Sequence, residues 1–372
     1  MASRDLRPPT PPSHIMLSYQ LESFGKPLAQ VLRDTPAPQG TEVIIKVHSC
    51  GVCHSDVHLH DGYFDLGGGN KVDMSRPMNL PRTLGHEIAG TVVAIGPDAA
   101  SASSGPGAPL AIGARRVVYP WVGCGVCAIC LAGNEHMCNT PGALGINRDG
   151  GFADHVVAPH PRHLFEFDPL PIDQACTYAC SGLTAFGALK KFPRPGAGDA
   201  LLIIGAGGVG LSGIRLAKKL FDIAPIVAEV DKSKWDIARE AGAGEVIDPT
   251  ADGAGKALVK ATGGGVAAAI DFVGAGATFS FGFGALRKGG TLVCVGLFGG
   301  STSITPAMVT LKGVSVVGSY VGSHADMREL MAIARSGTLP ELPLTTQPLA
   351  NATQALEDLK AGRIRGRTIL RP

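Results

Sequence analysis

The stretch ALLIIGAGGVGLSGIRLAKKL, residues 200–220, decides the fold of the second half of the chain. An apolar run breaks at a cluster of glycines and a helical pattern follows, which reads as buried strand, tight turn and helix. The turn is Gly205-Ala206-Gly207-Gly208-Val209-Gly210. Alone, such a motif is weak. Between a strand and a helix each glycine has a use: Gly205 permits the turn, Gly207 lets a pyrophosphate approach the backbone, and Gly210 lets the helix pack on the strand. The phosphates then sit at the N-terminus of the helix, beside Gly208 and Val209.

Nineteen residues after Gly210, Glu229 ends the next strand, PIVAEV (225–230). A carboxylate there accepts hydrogen bonds from both ribose hydroxyls and opposes a 2′-phosphate, which favours NAD over NADP. Lys234 lies on the following helix and reads either as a ribose contact or as a solvated helix charge. Asp231 competes for the Glu229 role but reads better as a helix N-cap.

Outward from this motif, strands and helices alternate through EVID, AAAIDFVG and GGTLVCVGLFG, the pattern of βαβ units and a parallel sheet. Towards the N-terminus the pattern differs. TEVIIKVHSC (41–50), HEIAGTVVAIG (86–96) and ARRVVYPWV (114–122) read as strands of a compact β domain separated by Gly and Pro clusters. Past about residue 320, helices around ADMRELMAIARSG and ATQALEDLKAG lead to a last strand, RTILRP. The division is 1–176, a β-rich domain; 177–318, the dinucleotide-binding domain; and 319–372, a tail returning to the first domain. Residues 1–14 read as a Pro-rich loose arm, and 97–112 as a small-residue turn. Residues 62–83 form an insertion that is either a binding loop or a solvated surface loop.

Composition bounds the function. The chain has 372 residues, 45% hydrophobic and 17% charged, so it can build a sizeable core and is not disordered. A net charge of +2 and 5% aromatics give no argument for nucleic acid. The N-terminus lacks the apolar run of a secretory signal, and no stretch is apolar enough for a bilayer span, so the expectation is a cytoplasmic protein. Nine cysteines in that compartment are metal ligands or free thiols rather than disulfides.

Four of them, Cys124, Cys127, Cys130 and Cys138, lie in CGVCAICLAGNEHMC. Four thiolates around one tetrahedral centre form a closed, structural zinc site, because no position remains for substrate. A redox Cys-X-X-Cys is the other reading, against which the third and fourth cysteines argue. His136 inside this lobe is a bystander. A second set is spread along the chain: Cys53 in GVCHSDVH, His86 in LGHEIAG and Cys180 in ACSGLTAF. Each alone could be a buried thiol or a core histidine. Three such ligands with a fourth place open are how zinc is held for catalysis.

These motifs, in this order, resemble the zinc-dependent medium-chain alcohol dehydrogenases over nearly the whole chain from about residue 15. The resemblance implies an α/β architecture, a GroES-like β-rich catalytic domain plus a Rossmann doubly wound parallel sheet, with the cofactor between them. It implies two zincs per chain, NAD, a small-molecule alcohol or aldehyde substrate, no nucleic-acid or membrane partner, and a homodimer or homotetramer. Zinc on Cys53, His86 and Cys180 would acidify the alcohol hydroxyl. Ser55 would take its proton and His58 would pass it to solvent. Asp56 resembles the carboxylate that orients the histidine ligand. Glu87 resembles a residue that approaches the metal, or is a buried ion-pair partner. His54 and Arg367 resemble pyrophosphate contacts, and Thr184 the residue beside the nicotinamide. Val273 and Val295, within the strand ends 271–274 and 295–297, would lie by the ring and ribose. Trp121 reads as a pocket wall or a core residue; His48 and His60 have no catalytic role, and Cys50, Cys176 and Cys294 are buried thiols. The insertion at 62–83 is longer than in many members. An aldehyde reductase working in the reverse direction, and a non-catalytic NAD sensor, are the competing readings.

Overall fold

The computed structural model describes residues 15–102 and 110–372; the arm assigned to 1–14 and the middle of the turn assigned to 97–112 lie outside the described residues.

The apolar run ahead of the glycines forms strand Leu201–Ile204, wholly buried. It is the third of six parallel strands: in chain order Leu201–Ile204, Ile226–Ala228, Glu245–Ile247, Val266–Asp271, Leu286–Cys294 and Ser315–Gly318 are numbered one to six, and they lie in the order 3-2-1-4-5-6. That is the doubly wound arrangement whose crevice opens beyond the carboxyl ends of the central strands. The glycines behave as their spacing demands. Gly205 has φ +93°, a Cβ on Gly210 would lie 1.9 Å from the Gly205 carbonyl oxygen, and a Cβ on Gly207 would meet nothing within 4 Å.

The first half is built on a seven-stranded sheet in which Val43–Gly51 pairs antiparallel with Glu87–Ile95, and Glu87–Ile95 with Arg115–Val118. Leu21, Ile45, Ile88, Leu144 and Phe152 fill its core. The last strand, Arg367–Arg371, pairs antiparallel with Val43–Gly51 and parallel with Leu344–Pro348, which places both strands in this sheet. The tail's first helix, His324–Arg335, packs instead in the core cluster around Leu183 and Ile203.

One segment differs from the sequence reading, and another has a shape the sequence did not show. Residues 62–83 are not wholly loop: Tyr63–Gly67 and Asn70–Asp73 form a hairpin around Gly67, Gly68 and Gly69, all at positive φ. A Gly-Gly turn between two short runs is a hairpin signal that the reading passed over. Cys180 sits in a π-helical turn, Tyr178–Gly182, between helices Ile172–Thr177 and Leu183–Leu189, a local shape for which the sequence carries no expectation. Such single wide turns gather at functional sites because they re-aim a side chain. Cys294, expected buried, is half-buried.

Candidate active site and metal centres

Cys53 caps the helix His54–Asp61, and its backbone N–H donates to Asp56 Oδ2 at 2.9 Å. The other oxygen of Asp56 accepts from Gly85 N at 3.2 Å and from His86 Nδ1 at 3.1 Å. One fully buried carboxylate therefore fixes the backbone at Cys53 and the ring of His86. With Nδ1 committed, Nε2 of His86 is buried without a partner. A buried imidazole nitrogen left bare is costly unless something binds it. Cys53 Sγ and Cys180 Sγ stand 4.0 Å apart, and one ligand atom each from Cys53, His86, Glu87 and Cys180 all fall within 4.8 Å of one another. Two thiolates on a tetrahedral zinc with bonds of about 2.3 Å would be about 3.8 Å apart, so the donor set fits that ion. The hydrogen bond with Cys180 pulls the Cys53 thiol well down, and the same contact pushes Cys180 up. Asp56 raises His86 against the effect of its burial.

Glu87 is fully buried. It forms an ion pair with Arg367 and accepts from Ser181 N at 3.2 Å. Burial pushes its carboxyl up to about 7 against the pull of Arg367. Glu87 thus pairs with a buried arginine and lies beside the ligand set.

Cys124, Cys127, Cys130 and Cys138 converge in the same way. Their sulfurs are 3.9 Å (Cys124–Cys130), 3.5 Å (Cys127–Cys130) and 3.9 Å (Cys127–Cys138) apart. Backbone N–H groups of Val126 and Cys127 pull Cys124 down to about 6, whereas burial pushes Cys130 up to about 12. Four sulfurs this close need a cation before all can ionise, and zinc fits.

A third group, Glu135, His163 and His324, also brings ligand atoms within 4.8 Å but is complete without an ion. Arg162 donates to Glu135 at 3.2 Å and to His163 Nε2 at 3.4 Å. His163 Nδ1 must then carry the proton, which it donates to His324 Nε2 at 3.0 Å. Burial pushes both rings down, His324 to about 3, so both are neutral. The trio fastens the four-cysteine lobe to the first turn of His324–Arg335.

One cavity of 430 Å³ runs from the Cys53 and Cys180 sulfurs to the glycine turn. Ser55 and His58 line its metal end. Every residue assigned to the cofactor faces it: His54, Thr184, Gly205, Gly207, Gly208, Val209, Gly210, Glu229, Lys234, Val273, Val295 and Arg367. Glu229 is held ready, its oxygens accepting from Ala206 N at 2.7 Å and Asp231 N at 2.8 Å. Asp231 accepts from Ser233 N at 3.0 Å, as an N-cap does. Arg367 lies against the glycine turn, its Cδ 2.2 Å from where a Cβ on Gly208 would be, and its Nε is buried without a partner. An unpaired guanidinium N–H beside a helix N-terminus suits a pyrophosphate. Trp121 is both wall and core: it lines the cavity, is 4% exposed, and donates from Nε1 to Ala179 O at 3.0 Å. His48 and His60 bond to Thr91 and to the Lys26 carbonyl, away from the metal.

The sequence reading missed Ser319, Tyr320 and Val321, which also line the cavity. They follow the sixth strand, so the strand-end rule that found Val273 and Val295 would have found them. Val321 holds φ +41°, a costly conformation for a β-branched residue and one that gathers at ligand sites.

Fold and site together define a two-domain, zinc-binding, dinucleotide-dependent dehydrogenase. Residues 39–169 match the family described as alcohol dehydrogenase GroES-like domain, and residues 208–336 the family described as zinc-binding dehydrogenase. The chain is 34% identical to an NAD-dependent alcohol dehydrogenase of Sulfurisphaera tokodaii, over 96% of this chain and 100% of that one. Among solved structures it resembles AibC (32% identity, TM-score 0.82, 96% of each chain). It also resembles the alcohol dehydrogenase of Aeropyrum pernix (30% identity, TM-score 0.82, 96% of this chain and 100% of that one). The chain belongs to the zinc-dependent medium-chain alcohol dehydrogenase family.

Proposed function

We propose that this protein is an NAD-dependent zinc alcohol dehydrogenase that interconverts an alcohol and its aldehyde or ketone. The observation that carries the reading is the unpartnered, buried Nε2 of His86, whose ring falls in one ligand set with the Cys53 and Cys180 sulfurs that line the end of the dinucleotide cavity. Zinc bound there supplies Lewis acidity that brings an alcohol's ionisation towards neutral pH, and the nicotinamide supplies the hydride acceptor.

The chain's own residues do the rest. Asp56 orients His86 and keeps its proton on Nδ1. Ser55 accepts the substrate's hydroxyl proton at the cavity wall. His58, pushed below the usual imidazole range mainly by burial, is a neutral acceptor that passes this proton to solvent. Glu229 takes the ribose hydroxyls, with Lys234 beside them. Arg367 and His54 take the pyrophosphate. Thr184, Val273 and Val295 pack the nicotinamide end. Glu87 holds Arg367 and is near enough to the ligand set to take part in ligand exchange. The four-cysteine zinc is structural.

The same site run backwards reduces an aldehyde, so direction follows substrate supply. A homodimer or homotetramer is supported by the edge strand Ser315–Gly318, with its exposed Val316, and by exposed Leu311 on the helix that precedes it. Among the described residues no helix is long and apolar enough to cross a membrane, and we assign the protein to the cytoplasm. Metal analysis of protein prepared without added metal, with an NAD and NADP assay on a panel of alcohols, tests the proposal. Two zincs per chain and NAD-linked turnover are expected; one zinc and no turnover would move the protein to the non-catalytic reading.

A further inference from the structure

The hairpin Tyr63–Gly67/Asn70–Asp73 reaches both halves of the molecule. A second cavity, of 340 Å³, adjoins the dinucleotide cavity, and Ser55, Trp121, Leu297 and Tyr320 line both. It therefore opens onto the proton-accepting serine and the nicotinamide end. The rest of its wall is mainly apolar, with Leu59, Phe64, Met74 and Ile146 among its residues. Phe64 comes from the hairpin, and Met74 follows the hairpin's second strand directly. The Phe64 ring centroid is 4.9 Å from that of His58, so the wall residue also rests on the proton acceptor.

Beyond Phe64 the hairpin crosses to the dinucleotide-binding half. Gly67 is buried, and a Cβ on it would lie 2.3 Å from the Gly300 carbonyl carbon. A Cβ on Gly299 would lie 2.6 Å from the Asp65 carbonyl oxygen. Both pairs meet backbone to backbone, which only glycines allow. Gly299 and Gly300 follow Leu297 with only Phe298 between, so the contact is made close to the residue that closes the pocket from the other side.

We propose that Phe64 is a specificity-determining residue, and that the hairpin, seated by Gly67 on Gly300, is a clip that closes the outer wall of the substrate pocket around alcohols carrying a bulky apolar group, aryl or branched alkyl. This rests on the dehydrogenase reading above and names its substrate class. A two-carbon alcohol leaves most of the cavity unfilled, whereas an aryl group covers Phe64, Met74 and Trp121. In apolar pockets a single methylene changes kcat/KM by about 10–200-fold, so a whole ring has ample leverage.

The test compares benzyl alcohol with ethanol, using NAD, in the wild type, Phe64→Ala, Phe64→Leu and Gly67→Val, each checked for folding by its melting curve. The wild type is expected to favour benzyl alcohol by about 100-fold in kcat/KM. Phe64→Ala should cut that ratio about tenfold or more, chiefly through the KM for benzyl alcohol, and Phe64→Leu should restore most of it. Gly67→Val, which removes no pocket atom, should lower the ratio in the same direction by lifting the clip. Loss of the His58 contact would slow both alcohols alike, so the ratio isolates specificity from proton transfer. A wild type that favours ethanol overturns the proposal. So does an unchanged ratio in folded Phe64→Ala and Gly67→Val; if Phe64→Ala does not fold, Gly67→Val decides. Turnover of neither alcohol, nor of any other, overturns the dehydrogenase reading itself, and this proposal with it.

Discussion

Replacing Asp56 by Asn tests how the reactive metal centre is held. The carboxylate makes three contacts: Oδ2 accepts from Cys53 N, and Oδ1 accepts from Gly85 N and His86 Nδ1. Asparagine has the same size but a single acceptor oxygen. Keeping that oxygen towards Gly85 and His86 turns its amide N–H₂ towards the Cys53 N–H, donor against donor. One buried N–H is then unsatisfied, which costs about 1–3 kcal/mol, and the bond to His86 loses its charge. The melting temperature should fall by about 2–4 °C for each kcal/mol in a domain of 150–250 residues. Outer partners of metal ligands are worth about 10–100-fold in metal affinity, so the variant should keep its four-cysteine zinc and lose the other under mild chelation. Metal analysis after dialysis against a weak chelator reads this as a fall from two zincs to one. Added zinc should restore much of the turnover, because the three ligands remain. Two zincs retained as tightly as in the wild type, with normal turnover, would refute the claim that Asp56 organises the site.

Three further outcomes follow from the geometry. Cys127→Ser should lower the melting temperature more than it lowers turnover per folded chain, because the four-cysteine lobe has little core apart from its metal; thermal melting beside specific activity checks this. Glu229→Ala should raise the KM for NAD about 10–100-fold, the value of one or two hydrogen bonds to a charged group, and should improve the use of NADP; steady-state kinetics with both cofactors would show neither change if the ribose lay elsewhere. His58 is displaced downwards by burial, so its neutral, proton-accepting form persists at neutral pH and is lost only as pH falls through a value under 6.5. Alcohol oxidation should hold its rate to that lower pH, and His58→Asn should cost about 100-fold at pH 7 with the acid limb of the profile altered.

Much of this was legible in the sequence because the chemistry uses short, local patterns. The glycine turn, the four-cysteine spacing and the strand periods fix elements by neighbours a few residues apart, and Leu201–Ile204, the helix after it and the sulfur cluster appear where those patterns put them. Cys53, His86 and Cys180 come from three separate segments, so no spacing could prove that they meet; only the resemblance joined them. What stayed out of reach depends on contacts between distant segments. The Glu87–Arg367 pair spans 280 positions, and nothing in the sequence joins the two residues, which the resemblance assigned to separate roles. The seat of Gly67 on Gly300 is likewise two unremarkable glycines until the fold brings them together. The π-helical turn at Cys180 has no sequence signature of its own.

The missed contacts share one location, the seam between the two halves, and this bears on how the site works. Cys53 and His86 belong to the β domain, whereas Cys180 rides on the run of helix from Ile172 to Leu189 that leads into the parallel sheet. A metal bound by all three ties the halves together at their junction. Glu87, which opens the strand directly after His86, holds Arg367 against the glycine turn, so one stretch of chain carries a member of the ligand set and the partner of that buried arginine. His54 meets Phe298 across the same cleft, with ring centroids 5.9 Å apart, and the hairpin crosses at Gly67. Each contact is small. Their placement means that a change in the relative position of the halves would move the ligand set, the arginine against the glycine turn and the pocket wall together, which is why a single misplaced seam contact should be felt as lost turnover before it is felt as lost stability.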